Sequence, residues 1–161
     1  MKYAITGHLY GVGEELFKRL SPNAIGFTRS TGYDITNKEH RARMIKEAAD
    51  CDVFINNAHS GFGQVYLFID LIRAWGANPE KTIINVGSNV AHRILPMQSH
   101  SRLEYQIQKI ALKEISEKVP NAVCNIKYRQ FSAVNTPRIL QKWPQWKNHI
   151  TVEEAANIIL S

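Results

Sequence analysis

Apolar and polar positions alternate in blocks along the chain: short, nearly continuous apolar runs are each followed by a longer segment whose apolar residues recur at helical spacing. The runs predict strands over residues 3–6, 24–28, a very short piece at 33–34, 52–56, 82–86 and 122–127. The helical pattern predicts helices over 11–20, 38–49, 63–75, 101–118 and 152–160. Strands alternating with helices imply right-handed crossovers and a parallel sheet covered on both faces. The expected fold is α/β, a doubly wound parallel sheet of about six strands in three layers. In such sheets ligands bind beyond the carboxyl ends of the strands, so chemistry is sought just after each predicted strand.

The first such place is glycine-rich. After Thr6 come Gly7, Gly11 and Gly13, leading straight into a helix. Glycines let the backbone turn tightly and approach a bound group, and a helix N-terminus offers free N–H groups and the positive end of a dipole, a combination suited to a pyrophosphate. Arg29 and Ser30 follow the second strand. A dinucleotide fold places an acidic residue there for a ribose 2′-OH and a basic one for a 2′-phosphate, so Arg29 argues for NADP over NAD. Asp34 and Ile35 follow the third piece; they could meet the adenine, or Asp34 could simply precede Thr36 as an N-cap of the next helix. The fourth strand ends in Asn56, Asn57, Ala58 and His59, and the fifth delivers Ser88 to the same sheet edge. Tyr105 and Lys109 then share one face of a helix at a spacing of four.

Length and composition narrow the class. A chain of 161 residues is read as a single domain, 1–161, with a long loop at about 128–150. No apolar run reaches the length of a membrane span, and the N-terminus lacks the pattern of a secretory signal, so a cytoplasmic protein without membrane association is expected. Cys51 and Cys124 each lie at or near the start of an apolar run and are expected as buried free thiols rather than a disulfide or metal site. The net charge of +6 is spread along the chain rather than clustered, which suits a solvated surface serving an anionic ligand better than nucleic acid.

Taken together the motifs resemble the short-chain dehydrogenase/reductase family. The run Thr6-Gly7-His8-Leu9-Tyr10-Gly11-Val12-Gly13 matches a TGxxxGxG spacing rather than the TGxxGxxG of the extended branch. Asn56-Asn57-Ala58 matches the NNAG element with His59 in place of glycine, and Ser88 with Tyr105 and Lys109 matches the serine and YxxxK. The resemblance implies a Rossmann-type fold, NADP(H) as cofactor, and reduction or oxidation of a small carbonyl or alcohol substrate by hydride transfer. It assigns catalysis to Ser88, Tyr105 and Lys109. It assigns cofactor binding to Thr6, Gly7, Tyr10, Gly11, Val12, Gly13, Arg29, Ser30, Asp34, Ile35, Asn57, Ala58, His59, Tyr105, Lys109, Val134 and Thr136. Tyr105 would donate the proton, its phenol lowered by ~2 to 3 units through the Lys109 ammonium, and Lys109 would also bond the nicotinamide ribose. Pairing into a homodimer or homotetramer through the two central helices is implied as well.

The sequence also departs from that pattern. Family members carry an asparagine in the helix before the serine strand; residues 63–75 contain none, and Gln64 is the nearest amide. Only 31 positions separate Asn57 from Ser88, the Pro-Gly after the sixth strand is missing, and no residues follow the last helix to build a seventh strand. Phe131, Trp143 and Trp146 are candidate substrate contacts, or cover for a core edge. These departures leave room for an alternative, a cofactor-binding sensor or scaffold with little or no turnover.

Overall fold

The computed structural model describes residues 1–92, 100–119, 122–142, 144–145 and 149–161. Its elements run β1 (Tyr3–Thr6), α1 (Gly11–Leu20), β2 (Ala24–Phe27), α2 (Lys38–Glu47), β3 (Val53–Asn56), α3 (Gly63–Trp75), β4 (Thr82–Val86), α4 (His100–Glu117), β5 (Asn125–Arg129), α5 (Pro137–Lys142) and α6 (Val152–Leu160). The strands form one sheet in the order β2-β1-β3-β4-β5, and every neighbouring pair is parallel. Tyr3 stands beside Ala24 on one side and Val53 on the other, while Asn56 faces Asn85 and Val86 faces Arg129.

Alternation along each strand builds two cores. Ala4, Phe27, Phe54 and Ile83 point to one face, against Met44 and Ala48, Phe68, Leu71 and Trp75 of α3, and Leu112 of α4. Ile5, Val53, Ile55, Ile84 and Val86 point to the other, against Leu16 of α1 and Ala156 and Ile159 of α6. The inner strands are therefore apolar on both sides, which is why they read as continuous hydrophobic runs. Arg19 fastens α1 to α6 by donating to Asn157 Oδ1 at 2.7 Å while pairing with Glu15 at 2.6 Å. A reciprocal cap starts α6: Thr151 Oγ1 accepts from Glu154 N–H, and the Glu154 carboxylate accepts from Thr151 N–H. Among the described residues no helix is long and apolar enough to cross a membrane.

Three expectations are corrected. Tyr33 and Asp34 form no strand, so the described residues build five strands rather than six. Gly32 adopts φ +89°, Tyr33 N–H bonds back to Thr28 O at 3.0 Å, and Asp34 Oδ1 accepts from both N–H and hydroxyl of Thr36. This turn uses groups that a strand would offer to a neighbour. Asn37, not Thr36, caps α2, its side-chain oxygen accepting from the N–H groups of Glu39 and His40. The last strand lies at Asn125–Arg129 because Val123 and Cys124 donate their N–H groups to Gly76 O and so anchor that apolar run to the end of α3. Cys51 and Cys124 are buried free thiols, as expected.

Candidate active site

The chain leaves β1 to form β2 on one side and returns to form β3 on the other, so the strand order reverses between β1 and β3. A crevice opens at such a reversal, beyond the carboxyl ends of the two strands. The loop after β1 enters it with Gly7 at φ +74° and Gly11 at φ +53°, conformations that favour glycine. A Cβ on Gly13 would overlap the Gly7 carbonyl oxygen and come within 2.8 Å of Asn57 Nδ2, so α1 starts hard against the loop. Helix geometry leaves the first-turn N–H groups of Gly11, Val12 and Gly13 without intrahelical acceptors. Tyr10 precedes them in extended conformation and is exposed, while Val12 packs on the second core.

Thr6 and Asn57 brace this loop against the one after β3. The wholly buried Thr6 hydroxyl accepts from the N–H groups of Asn57 and Ala58, both at 3.0 Å, and Asn57 Nδ2 donates to Thr6 O at 3.1 Å. Beside them runs a cleft lined by Gly7, Arg29, Asp34, Ile35, Ala58 and His59, among others. Arg29 lies 3.2 Å from Asp34 Oδ2 and donates to Ser60 Oγ at 3.0 Å, so its guanidinium stands at the cleft wall, mostly exposed. Ser30 is exposed beside it and is not among the residues lining the cleft. Thr136 reaches across to Gly11, and Val134 is buried in a parallel bridge with Ile150.

At the carboxyl end of β4, Gly87 and Ser88 turn toward α4. Gly87 has no room for a side chain because the Tyr128 hydroxyl of β5 occupies the place. Tyr105 presents a partly exposed ring, and the His59 ring meets it edge-on at 4.8 Å between centroids. His59 thus joins the cleft to Tyr105. Lys109 is buried with its ammonium 5.7 Å from the Tyr105 ring centroid. Ser88, Tyr105 and Lys109, taken from separate parts of the sequence, lie together at this end of the sheet.

The electrostatics differ from the expectation at one point. Burial pushes the Tyr105 phenol above its ordinary value of 10.0, and a hydrogen bond with the Ser88 hydroxyl pulls it back only in part. The anticipated lowering is not seen, because burial governs the phenol; the Lys109 Nζ donates to Gln64 Oε1 at 2.8 Å and to Val86 O at 3.2 Å. Burial lowers Lys109 itself from 10.5 to about 8. Between those values the unfolded chain binds more protons at this group than the folded one, so its contribution to stability rises with pH across that window. Burial, then the charge of Lys109, hold His59 at about 4, so its ring is neutral near pH 7.

Gln64 and Ser60 escaped the sequence-based assignments. Ser60 directly follows the Asn-Asn-Ala-His run, a signal of place but not of role. Phe131 is half-buried and packs on the second core. Trp143 and Trp146 lie outside the described residues.

No protein-family model matches the sequence, and neither does any curated protein. Solved structures do match in fold. A short chain dehydrogenase from Burkholderia cenocepacia J2315 in complex with NADP is similar over 99% of this chain and 84% of that one, with TM-score 0.74 and 20% identity. The closed form of a serine dehydrogenase complexed with NADP+ is similar over 99% and 88%, with TM-score 0.77 and 15% identity. A 3-ketoacyl-(acyl-carrier-protein) reductase from Brucella melitensis complexed with NADH is similar over 97% and 88%, with TM-score 0.69 and 18% identity. The chain has the Rossmann-like α/β fold of these proteins.

Proposed function

We propose that this protein is an NADP(H)-dependent oxidoreductase that interconverts a small ketone or aldehyde and its alcohol, with Tyr105 as acid and base. The observation that carries the reading is the convergence of Ser88, Tyr105 and Lys109 at the end of β4, beside a glycine cradle at the reversal of the sheet. The glycine turn beside the cleft and the first-turn N–H groups of α1, which lack intrahelical acceptors, support a dinucleotide at this place. Similarity to proteins solved with NADP or NADH supports a nicotinamide cofactor.

In this reading the bound nicotinamide supplies the hydride. The Gly11 to Gly13 turn holds the diphosphate, and Ala58 with His59 flanks the path toward Tyr105. Ser88 donates to the carbonyl oxygen as charge develops there, and Tyr105 gives that oxygen its proton. Lys109, held by Gln64 and Val86 O behind the ring, would bond the nicotinamide ribose. An assembled trio of this kind favours turnover over a sensor or scaffold role.

Arg29 is assigned to the 2′-phosphate. The Asp34 carboxylate and Ser60 hydroxyl hold its guanidinium at the cleft wall, where a phosphate can add to the same fork of donors. Fluorescence titration is expected to show NADPH binding tighter than NADH by about 10- to 100-fold, a difference of about 1.4 to 2.7 kcal/mol. Arg29→Ala is expected to abolish that preference; a preference that survives the substitution removes the role. A panel of small ketones and aldehydes followed by loss of NADPH absorbance tests the activity, and a panel without turnover contradicts it.

A further inference from the structure

Gln64 is a buried polar side chain near the crevice with both its amide nitrogen and its oxygen engaged. It opens α3, is 2% exposed, and every hydrogen-bonding direction of its amide nitrogen is used. Nε2 donates to Asn56 O at 2.7 Å and Val86 O at 2.9 Å, and Oε1 accepts from Lys109 Nζ at 2.8 Å. Only this orientation of the amide works, because the reverse would set oxygen against two carbonyls and nitrogen against an ammonium. The residue is itself clamped. Asn56 Nδ2 donates to Gln64 O at 2.9 Å and to Asn85 Oδ1 at 2.8 Å, and Asn85 Nδ2 donates to Ser116 Oγ at 2.9 Å. Ser116 donates in turn to Leu112 O on α4, the helix that carries Lys109. A polar chain thus runs from α3 through β3 and β4 to α4, with Asn56 Oδ1 buried in it and unpartnered among the described residues.

We propose that Gln64 is the positioning residue for Lys109: its side-chain oxygen, with Val86 O, fixes the ammonium at one point behind Tyr105 and leaves its third N–H for a ligand in the crevice. The inference rests on the oxidoreductase reading for its catalytic meaning, but not for its geometry. A neutral amide is the side chain this place requires. A carboxylate would lose both donations and press an anion against the oxygens of Asn56 and Val86, and an apolar side chain would leave a buried ammonium with one acceptor. The titratable groups around Lys109 are Tyr105 on its own helix and His59 from the loop after β3, with Tyr128 of β5 beyond Tyr105. His59 is neutral near pH 7, and no carboxylate is among the charges that shift Lys109. The Gln64 amide oxygen, with Val86 O, therefore stabilises its charged form.

The test needs neither cofactor nor substrate. In protein labelled with 13C-lysine, the Cε resonance of Lys109, assigned through Lys109→Arg, reports its titration directly. The wild-type midpoint is expected near 8. Gln64→Met, which keeps the volume and removes the acceptor, is expected to lower it by about one unit or more, a tenfold change, and Gln64→Glu to raise it by a similar amount. Midpoints unchanged in both folded variants would overturn the proposal, since a purely structural glutamine alters stability and not this titration. Should either variant fail to fold, an NOE in the wild-type protein between the Gln64 side chain and the Lys109 ammonium decides the matter, and its absence counts against the clamp. Shifted midpoints in a protein that oxidises no NADPH with any carbonyl would uphold the clamp and sink the oxidoreductase reading. With an active substrate in hand, Gln64→Met is expected to lower kcat more than it raises KM and to move the pH profile with the resonance.

Discussion

Tyr105→Phe is expected to lower kcat/KM for NADPH-dependent carbonyl reduction by about 10³-fold, the scale on which a positioned proton donor contributes. The substitution removes one oxygen and little else. The ring keeps its edge-on contact with His59, and Lys109 keeps its bonds to Gln64 and Val86, because neither involves the phenol oxygen. Ser88 loses one neutral hydrogen-bond partner at a partly exposed ring, so the loss of stability is expected to be about 1 kcal/mol. NADPH affinity is expected to remain within about threefold, a change of about 0.6 kcal/mol. Steady-state rates and a fluorescence titration on the same preparation separate these effects. Undiminished turnover in this variant means that another group delivers the proton.

Gly13→Ala is expected to cost about 3 kcal/mol of stability and to weaken NADPH binding more than tenfold. The added Cβ meets the Gly7 carbonyl, which is part of the loop backbone and cannot rotate aside, and presses on the Asn57 amide that ties this loop to the one after β3. Relief requires α1 to retreat from the loop, which withdraws the first-turn N–H groups from the crevice. Gly61→Ala is the companion measurement. That glycine has φ +49° but open space around its Cβ, so only about 1 kcal/mol of backbone strain is expected there, with binding unchanged. Chemical denaturation and cofactor titration check both variants. Gly13→Ala binding NADPH like the wild type would dissociate the glycine turn from the diphosphate.

The alternation of strands and helices was legible because each inner strand is buried on both faces and each helix on one. Helices α1, α3 and α6 fall where their apolar spacing places them, at Gly11–Leu20, Gly63–Trp75 and Val152–Leu160. The failures have local causes. Tyr33 and Asp34 look extended in sequence, yet the bonds from Asp34 to Thr36 and from Tyr33 back to Thr28 turn the chain. The apolar run at 122–124 resembles a strand start but is held by Gly76 O instead. Helix α5, at Pro137–Lys142, is a short element without a strong apolar stripe.

The trio of Ser88, Tyr105 and Lys109 was legible from order along the chain. Its electrostatics were not, because they depend on how deeply Tyr105 and Lys109 are buried and on what surrounds Lys109. The partner is Gln64, 45 residues earlier, brought there by α3 crossing behind β4. No spacing rule reveals a contact between two helices separated by a strand. The bond between Arg29 and Ser60 is of the same kind, joining the loops after β2 and β3 across the crevice.

The most direct test of the account is a crystal structure of the protein with NADP+. The account predicts the 2′-phosphate at Arg29, the diphosphate on the turn from Gly11 to Gly13, and the nicotinamide ring beside the Tyr105 hydroxyl. A dinucleotide bound elsewhere, or one whose nicotinamide lies away from Tyr105 and Lys109, would contradict it.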